Sequence, residues 1–325
     1  MSLDRIKDNR FLVLGRAGMD LYADPPGTRV EDARQFTSAL GGSSANIAAG
    51  LCRLGSRASL LGTVSDDAVG RFVLAELQRF GISTDHVRAM GGEVRNSLAV
   101  VESRTENCQS VIYRNGAADF ELSLDQVEAC DFSSFGALIL TGTSLARDPS
   151  RAATFCAIEK AKAAGLVTII DIDHRAYTWA SRKEAAQICL RAAEVCQIVV
   201  GNDDEFGLLA GDYAAGLDLA KLLGERQSSM VIYKMGDRGS ITFAKDERIE
   251  LGTYLVRPLK PTGAGDAFLA GFASGLAVGK TLTDSLRCGS AAAAIVVTRV
   301  GCAPAMPTLS ELTVFMAKNP PLTSP

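Results

Sequence analysis

Histidine is nearly absent from this chain of 325 residues, which contains only His86 and His174. A metal centre built from several histidines is therefore excluded, and a serine or cysteine nucleophile would need one of these two as its base. Aromatic residues make up only 6% of the chain, whereas hydrophobic residues make up 47% and glycine occurs 31 times. This composition is typical of globular α/β proteins rather than of disordered or fibrous ones.

The chain also lacks an excess of positive charge, because 34 Lys and Arg face 37 Asp and Glu, for a net charge of -3. Broad surfaces that bind nucleic acid or anionic membranes need the opposite balance. The longest apolar run, 291–297, is far shorter than the roughly 20 residues that cross a bilayer, and the charged first ten residues predict no secretory signal. We expect small-molecule partners, neither nucleic acid nor membrane, and a cytoplasmic location.

Cysteine is present eight times, without a C-x-x-C pair and without regular spacing. Most of these residues lie inside apolar segments. The pattern favours buried free thiols in a reducing compartment over a disulfide framework or a zinc site.

Short apolar runs alternate with helical patterns along the chain. Phe11 to Gly15 is typical of a buried strand, and Ser43-Ser44 before apolar residues at helical spacing predict a helix capped by serine. The alternation predicts an α/β fold with a mostly parallel sheet. Two stretches, residues 16–39 and 94–116, break it; the second contains two strand-like runs, 97–103 and 109–114, that predict a hairpin. No linker divides the chain, so we predict one domain over residues 1–325.

The turn Gly263-Ala264-Gly265-Asp266 precedes an apolar helix. Unpaired N–H groups at a helix start attract anions, and glycine lets a ligand approach the backbone closely. A carboxylate beside such a site can accept the proton of a hydroxyl group as that hydroxyl attacks phosphorus. A glycine-rich helix start with an Asp matched to the helix dipole explains the same four residues, so the turn alone leaves both interpretations open.

Other pairs of residues accompany this turn along the chain: Arg16 with Asp20, Gly41-Gly42 with Asn46, Asn202 with Glu205, and Lys234 with Gly236 and Gly239. Their order resembles that of the ribokinase-like (PfkB) carbohydrate kinases, and the resemblance spans nearly the whole chain. It implies a three-layer α/β/α sandwich with a small β-stranded lid, formed by the two stretches named above, and it implies ATP and Mg²⁺ as cofactors.

By the same resemblance, Asp266 is the catalytic base, and Gly263, Ala264 and Gly265 form the anion hole. The sugar would contact Asp20, Gly41, Gly42 and Asn46. The nucleotide would contact Asn202, Lys234, Gly236, Gly239 and Thr262, and Glu205 would lie near Mg²⁺, acting through water.

Three arginines, Arg16, Arg114 and Arg175, each follow a predicted strand, on the side where open α/β sheets bind ligands. A guanidinium can hold a carboxylate with two hydrogen bonds, whereas a neutral sugar needs no such group. The segments 15–24, 113–119 and 171–175, which contain these arginines, together with Tyr177, Trp179 and residues 305–308, resemble a branch of the family that phosphorylates the terminal hydroxyl of a keto-deoxy sugar acid in inositol breakdown. A kinase for 2-keto-3-deoxygluconate, or for ribose or fructose, remains an alternative, as does a sugar or nucleotide sensor without catalysis.

The chain departs from the family at Lys260-Pro261-Thr262, where many relatives carry Asp-Thr-Thr. That Asp helps to hold a monovalent cation in the family, so the need for potassium stays open here. Lys260 is expected to be a solvated lysine, with a fixed positive charge at the turn as the alternative. Exposed lid strands would also allow a homodimer by edge pairing.

Overall fold

The computed structural model describes residues 3–104, 106–225, 230–245 and 247–322. The strands in these ranges are β1 (Arg10–Leu14), β2 (Gly18–Asp24), β3 (Gln35–Gly41), β4 (Arg57–Ser65), β5 (Ser83–Met90), β6 (Leu98–Val101), β7 (Ser110–Tyr113), β8 (Ala137–Thr141), β9 (Val167–Asp171), β10 (Ile198–Asn202), β11 (Met230–Lys234), β12 (Ser240–Ala244) and β13 (Glu247–Leu251). The helices are α1 (Ser43–Arg53), α2 (Ala68–Arg79), α3 (Leu124–Glu128), α4 (Ser150–Ala163), α5 (Arg182–Val195), α6 (Asp203–Ala210), α7 (Gly216–Gly224), α8 (Ala264–Ala277), α9 (Leu282–Val297) and α10 (Leu309–Lys318).

The larger sheet has the strand order β13-β12-β11-β10-β9-β8-β1-β4-β5. Its strands from β11 to β5 pair in parallel, and β12 and β13 extend one edge in antiparallel pairing. Parallel neighbours require long crossover connections, which are usually helices. The alternation of strand and helix patterns in the sequence has this origin, and the mostly parallel sheet is confirmed.

Both faces of the larger sheet are buried, as consecutive residues of β1 show. Phe11 and Val13 belong to one apolar cluster, together with side chains of α1 and α8. Leu12 and Leu14 belong to another, together with side chains of α4 and α5. Successive side chains of a strand point to opposite faces, so helices have to cover both sides. The predicted three-layer α/β/α arrangement is thereby confirmed.

A second sheet, which we call the lid, has the strand order β3-β2-β6-β7. Strand β2 pairs antiparallel with β3 and parallel with β6, and β6 and β7 form the antiparallel hairpin predicted from the sequence. Tyr22, Ala39, Ala99 and Val101 form a small apolar cluster on this sheet. The lid therefore has an apolar cluster of its own, much smaller than those that flank the larger sheet.

Two details differ from the sequence-based expectation. Helix α1 is capped by Gly42 without a side-chain hydrogen bond, so the predicted serine cap is wrong; the Ser44 hydroxyl instead donates to the Leu14 carbonyl at 2.9 Å and ties α1 to β1. Strand β5 and helices α3, α6, α7 and α10 were not predicted. Strand β5 lies at the sheet edge and shows no regular alternation of buried and exposed residues, so it lacks the pattern that identifies strands.

All eight cysteines are free, as expected. Five of them are buried, while Cys52, Cys108 and Cys156 are partly exposed. In the part of the chain that the structure describes, no helix has the length and apolar character that a membrane crossing requires.

Candidate active site

The carboxyl ends of the parallel strands supply the polar groups of the site. Arg16 follows β1, Arg175 follows β9, and Lys234 ends β11. Because these strands run in one direction, their ends meet at the same edge of the sheet, where open α/β sheets bind ligands. The lid covers this edge, since Ala99 and Val101 of β6 line the same cavity as Arg16.

The turn from Gly263 to Asp266 separates two cavities at this edge. Gly263 caps α8 with a φ of +85°, a left-handed conformation that favours glycine, and a Cβ there would lie 2.9 Å from the Cys302 sulfur. The N–H groups of the first turn of α8 have no acceptor within the helix. Gly263 and Asp266 line both cavities, so the turn forms a shared wall with unpaired donors.

The carboxylate of Asp266 is held in place by Asn46 of α1. The Asn46 side-chain amide donates to Oδ2 of Asp266 at 2.8 Å. Burial raises the pKa of Asp266, and the negative charge of Asp173 adds to the increase, while the hydrogen bond from Asn46 opposes it. A carboxyl group whose pKa is raised towards neutral pH is suited to accept a proton from a substrate.

The first cavity, of about 370 Å³, lies between the turn and the lid. It brings together most of the predicted sugar-binding residues: Arg16, Asp20, Gly42, Asn46, Arg114 and Arg175. Oδ1 of Asp20 and Oδ1 of Asn46 are buried without a hydrogen-bond partner among the described residues. Buried acceptors are nearly always paired, so these two oxygens are suited to receive hydroxyl donors from a ligand.

Gly41, also predicted to bind the sugar, is not part of the wall of this cavity. It lies behind Asp20: a Cβ on Gly41 would come within 2.0 Å of the Asp20 carboxylate. Gly41 therefore makes room for Asp20 rather than contacting the cavity. The other oxygen of Asp20, Oδ2, accepts a hydrogen bond from the Tyr22 hydroxyl at 3.1 Å.

The three predicted arginines all line the first cavity, but their pairing differs. Arg114 is buried and paired with Asp119, and Arg175 pairs with Asp173 at 2.7 Å. The Arg16 guanidinium donates to the Ser97 hydroxyl at 3.0 Å, and no carboxylate in the described part of the chain lies within ion-pair distance of it. Arg16 therefore has the most capacity left for an anionic ligand.

The second cavity, of about 430 Å³, lies on the opposite side of the turn. Its wall contains all the residues predicted to contact the nucleotide or the metal: Asn202, Glu205, Lys234, Gly236, Gly239 and Thr262. Ala264 and Gly265 of the turn also face it. The Lys234 ammonium lies against the turn, because a Cβ on Gly265 would be 3.2 Å from its Nζ.

Carboxylates dominate the charge of the second cavity. The buried Glu205 accepts from the backbone N–H of Asn202 at 2.7 Å and of His174 at 3.0 Å. Burial and the charge of Asp171 raise the pKa of Glu205. Lys234 lies 3.6 Å from Asp171; burial lowers its pKa, but the surrounding carboxylates raise it overall. The cavity therefore holds one ammonium among several buried carboxylates.

Sequence reasoning missed several residues that line the cavities: Tyr22, Ser110 and Thr143 in the first, and Thr253 and Ser290 in the second. Tyr22 could have been predicted from the sequence, because it follows Asp20 by two positions on one strand and therefore lies on the same face of the sheet. Asp171 and Asp173 both form ion pairs and line the second cavity.

Lys260 is not the solvated lysine expected from the sequence. Its side chain is 0% exposed, and its ammonium donates to the carbonyl of Thr262. The expectation was wrong because the segment between β13 and α8 is tied to the end of α9, with the N–H groups of Leu259 and Lys260 donating to the Val297 carbonyl at 2.7 and 3.2 Å. This contact joins parts of the chain that are far apart in sequence.

The fold and the paired cavities define a class, which comparison with known proteins identifies as the sugar kinases. A fructokinase from Vibrio cholerae, solved with fructose, ADP and potassium, matches with a TM-score of 0.83 and 25% identity over 94% of this chain and 97% of its own. An ATP-bound fructokinase from Xylella fastidiosa matches with a TM-score of 0.84 and 23% identity over 96% of this chain and 99% of its own.

Sequence comparison gives the particular family. Residues 8–309 match the model of the pfkB family carbohydrate kinases. The 5-dehydro-2-deoxygluconokinase of Photobacterium profundum is 36% identical over 94% of both chains, and that of Geobacillus kaustophilus is 33% identical over 98% of this chain and 97% of its own. The chain belongs to the pfkB family, and it is an ATP-dependent carbohydrate kinase.

Proposed function

We propose that this kinase transfers the γ-phosphoryl group of ATP to the terminal (C6) hydroxyl of 5-dehydro-2-deoxy-D-gluconate, a step of myo-inositol catabolism. The names of the relatives that match over nearly the whole chain support this substrate. The observation that carries the proposal is the first cavity, where Asp266 shares one wall with three arginines. A sugar acid needs both a base for its hydroxyl and a partner for its carboxylate.

Asp266 acts as the general base. Its carboxylate takes the proton of the C6 hydroxyl while the new O–P bond forms and the bond from the γ-phosphorus to the bridging oxygen breaks, which releases ADP. The hydrogen bond from Asn46 leaves Oδ1 of Asp266 for the substrate, because Asn46 donates to Oδ2. Asn46 thereby orients the base.

The backbone N–H groups of Gly263, Ala264 and Gly265 form the anion hole. They lie at the start of α8, where the helix offers donors and a positive dipole end to an anion. Lys234, which lies against Gly265, adds a full positive charge on the nucleotide side. Fixed donors of this kind stabilise charge on the transferring phosphoryl group without having to reorganise.

Mg²⁺ fits the donor set of the second cavity. In the described residues no three His, Cys, Asp or Glu side chains are arranged as a metal site, and Mg²⁺ bound with a nucleotide keeps several waters and needs few protein ligands. Glu205 would hold it through water beside Asn202, and Thr262, Gly236 and Gly239 would contact the nucleotide. The metal supplies charge neutralisation between the ATP phosphates and these carboxylates.

Arg16 is assigned to the substrate carboxylate, because Arg175 is held by Asp173 and Arg114 by Asp119. Asp20 and Asn46 would accept hydrogen bonds from substrate hydroxyl groups through their unpaired oxygens. The inner wall thus combines acceptors for hydroxyl groups with a donor for an acid. A neutral sugar would leave the Arg16 charge buried without a partner, which is costly.

The test compares kcat/KM for four acceptors with Mg-ATP, with the rate measured as the release of ADP. We expect 5-dehydro-2-deoxygluconate to be preferred over 2-keto-3-deoxygluconate, and both sugar acids over ribose and fructose. Equal or faster turnover of a neutral sugar would overturn the proposed substrate. No phosphorylation of any acceptor, with ATP still bound, would favour a sensor instead.

We also propose that the protein works in the cytoplasm and forms a homodimer through the lid. Phe36, Val111 and Tyr113 are exposed apolar side chains on the two edge strands of this sheet, and unpaired strand edges readily associate. Sedimentation analysis of the wild type and of Val111→Lys tests the dimer. A wild-type monomer at every concentration, or a Val111→Lys variant that stays dimeric, would contradict this interface.

A further inference from the structure

Lys260 is a fully buried lysine that stands next to the anion hole without an acidic partner. Its side chain is 0% exposed, and across the described ranges of the chain no carboxylate lies within ion-pair distance of its Nζ. Lysine is almost never fully buried unless it is paired, because removing an ammonium group from water costs several kcal/mol. The burial of the Lys260 ammonium despite this cost indicates that the group has a function.

The surroundings of Lys260 direct its ammonium to one peptide group. The backbone N–H groups of Leu259 and Lys260 donate to the Val297 carbonyl at the end of α9, which holds the segment against that helix. The Lys260 side chain then reaches back along its own chain and donates to the carbonyl of Thr262. The ammonium therefore contacts the residue that directly precedes Gly263.

This contact acts on the anion hole through the geometry of the peptide bond. The Thr262 carbonyl and the Gly263 N–H belong to one planar trans unit, in which the two groups point in opposite directions. A donor that fixes the carbonyl therefore also fixes the direction of the N–H. An ammonium on the carbonyl further polarises the unit, and this makes the N–H a stronger donor.

The charge of Lys260 also reaches the two carboxylates that meet the substrate. Burial raises the pKa of Asp20, and the charges of Arg16 and Lys260, with the hydrogen bond from Tyr22, oppose this increase. Burial lowers the pKa of Lys260 itself, while Cys302, Asp266, Cys108 and Asp20 raise it. A single positive charge at this position thus interacts with both sides of the turn.

We propose that Lys260 is a positioning residue that serves as a built-in monovalent cation, holding the Thr262–Gly263 peptide for phosphoryl transfer and making the enzyme independent of added potassium. This inference rests on the proposed role of the turn as an anion hole. It contrasts with the Vibrio cholerae fructokinase, which was solved with a potassium ion. In this chain the ammonium is covalently attached, so no ion has to bind.

The main variant is Lys260→Met, with Lys280→Met as the control, because Lys280 is exposed beyond the end of α8. We expect Lys260→Met to lower kcat by at least about tenfold with little change in the sugar KM, since one direct anion-hole donor is worth about 10²–10³ in kcat. The variant removes a buried charge that has no acidic partner, and with it the free-energy cost of taking that charge out of water. We therefore expect a thermal midpoint equal to or above that of wild type. A Lys260→Met variant that is slower but equally stable would show that Lys260 positions the peptide rather than stabilising the fold.

The second arm uses the wild type and needs no variant. Activity and the thermal midpoint with ADP are compared in potassium, sodium and choline chloride at equal ionic strength. We expect no difference among the three salts. Activation or stabilisation that is specific to potassium would overturn the proposal, and so would a Lys260→Met variant with the kcat of Lys280→Met.

The same measurements distinguish this inference from the proposed substrate. ATP hydrolysis without sugar uses the anion hole but not the substrate carboxylate. If the sugar acid is not phosphorylated while hydrolysis by the wild type ignores potassium and falls in Lys260→Met, the substrate proposal fails and the role of Lys260 stands. If the sugar acid is phosphorylated only with potassium, the substrate proposal stands and the proposed role of Lys260 fails.

Discussion

The two cavities on either side of the Gly263–Asp266 turn are built with opposite charge. The first is lined by Arg16, Arg114 and Arg175, and the second by Asp171, Asp173 and Glu205 with Lys234 among them. A cationic wall suits an anionic acceptor, while a carboxylate wall suits a nucleotide only when that nucleotide arrives with its metal. The difference indicates which charge each ligand carries, while Arg175 and the segment from Pro261 to Asp266 border both cavities.

The strongest test of this division changes the group that both cavities share. Asp266→Asn removes the proposed base but keeps an acceptor for Asn46, so we expect kcat to fall by about 10²–10⁴, the usual contribution of a general base. ATP affinity, measured by calorimetry, should be largely kept. Asn46→Ala serves as the comparison, because it removes the orienting amide without placing a second carboxylate beside Asp266. Unchanged kcat in Asp266→Asn would remove this residue from its role.

A change confined to the cationic side should affect the sugar acid alone. Arg16→Met should lower kcat/KM for the sugar acid by about 10- to 100-fold, since a hydrogen bond to a charged group is worth about 1.5–3 kcal/mol. The KM for ATP should stay constant. Arg57→Met is the control, because Arg57 is exposed at the opposite end of the strands; it removes the same charge, and we expect kcat/KM to stay unchanged. An equal loss in both variants would mean that net charge, rather than contact, is responsible.

A change confined to the carboxylate side should affect the metal alone. Glu205→Gln should raise the Mg²⁺ concentration needed for half-maximal activity by about tenfold, the lower range for groups that orient a metal through its bound ligands. Asp204→Asn is the control, because Asp204 is exposed in the same helical turn. A larger sugar KM with unchanged Mg²⁺ dependence would contradict the division between the cavities.

The smallest expected effect concerns stability. The pKa of Asp266 is raised in the folded protein, so the folded state binds its proton more tightly than the unfolded state does. Stability therefore decreases as pH rises from the ordinary pKa of Asp through the raised value, and the cost is fully present above it. Asp266→Asn escapes this cost, and we expect its thermal midpoint to exceed that of wild type at neutral pH but not in acid. Equal thermal midpoints of the variant and the wild type across the pH range would argue against a raised pKa of Asp266.

Particular residues show how far the sequence could predict the site. The sequence singles out the Gly263–Asp266 turn, Asn202 with Glu205, and Lys234 with Gly236 and Gly239, because each combines residue types whose chemistry is local, and all of them line the cavities. The lining residues Ser110, Thr253 and Ser290 were not found. A serine or threonine in a loop has no distinctive pattern, and only the folding of the lid and of α9 over the sheet edge brings these residues to the cavities.

The sequence by itself determined the alternating α/β order, the buried parallel strands and the turn before α8, because apolar periodicity and backbone freedom are properties of neighbouring residues. Only the tertiary fold places Gly41 behind Asp20, buries Lys260 against Thr262, and leaves Arg16, of the three cavity arginines, without a carboxylate partner among the described residues. Each of these depends on contacts between residues far apart in the chain, and such contacts decide whether a charge is solvated, paired or left for a ligand.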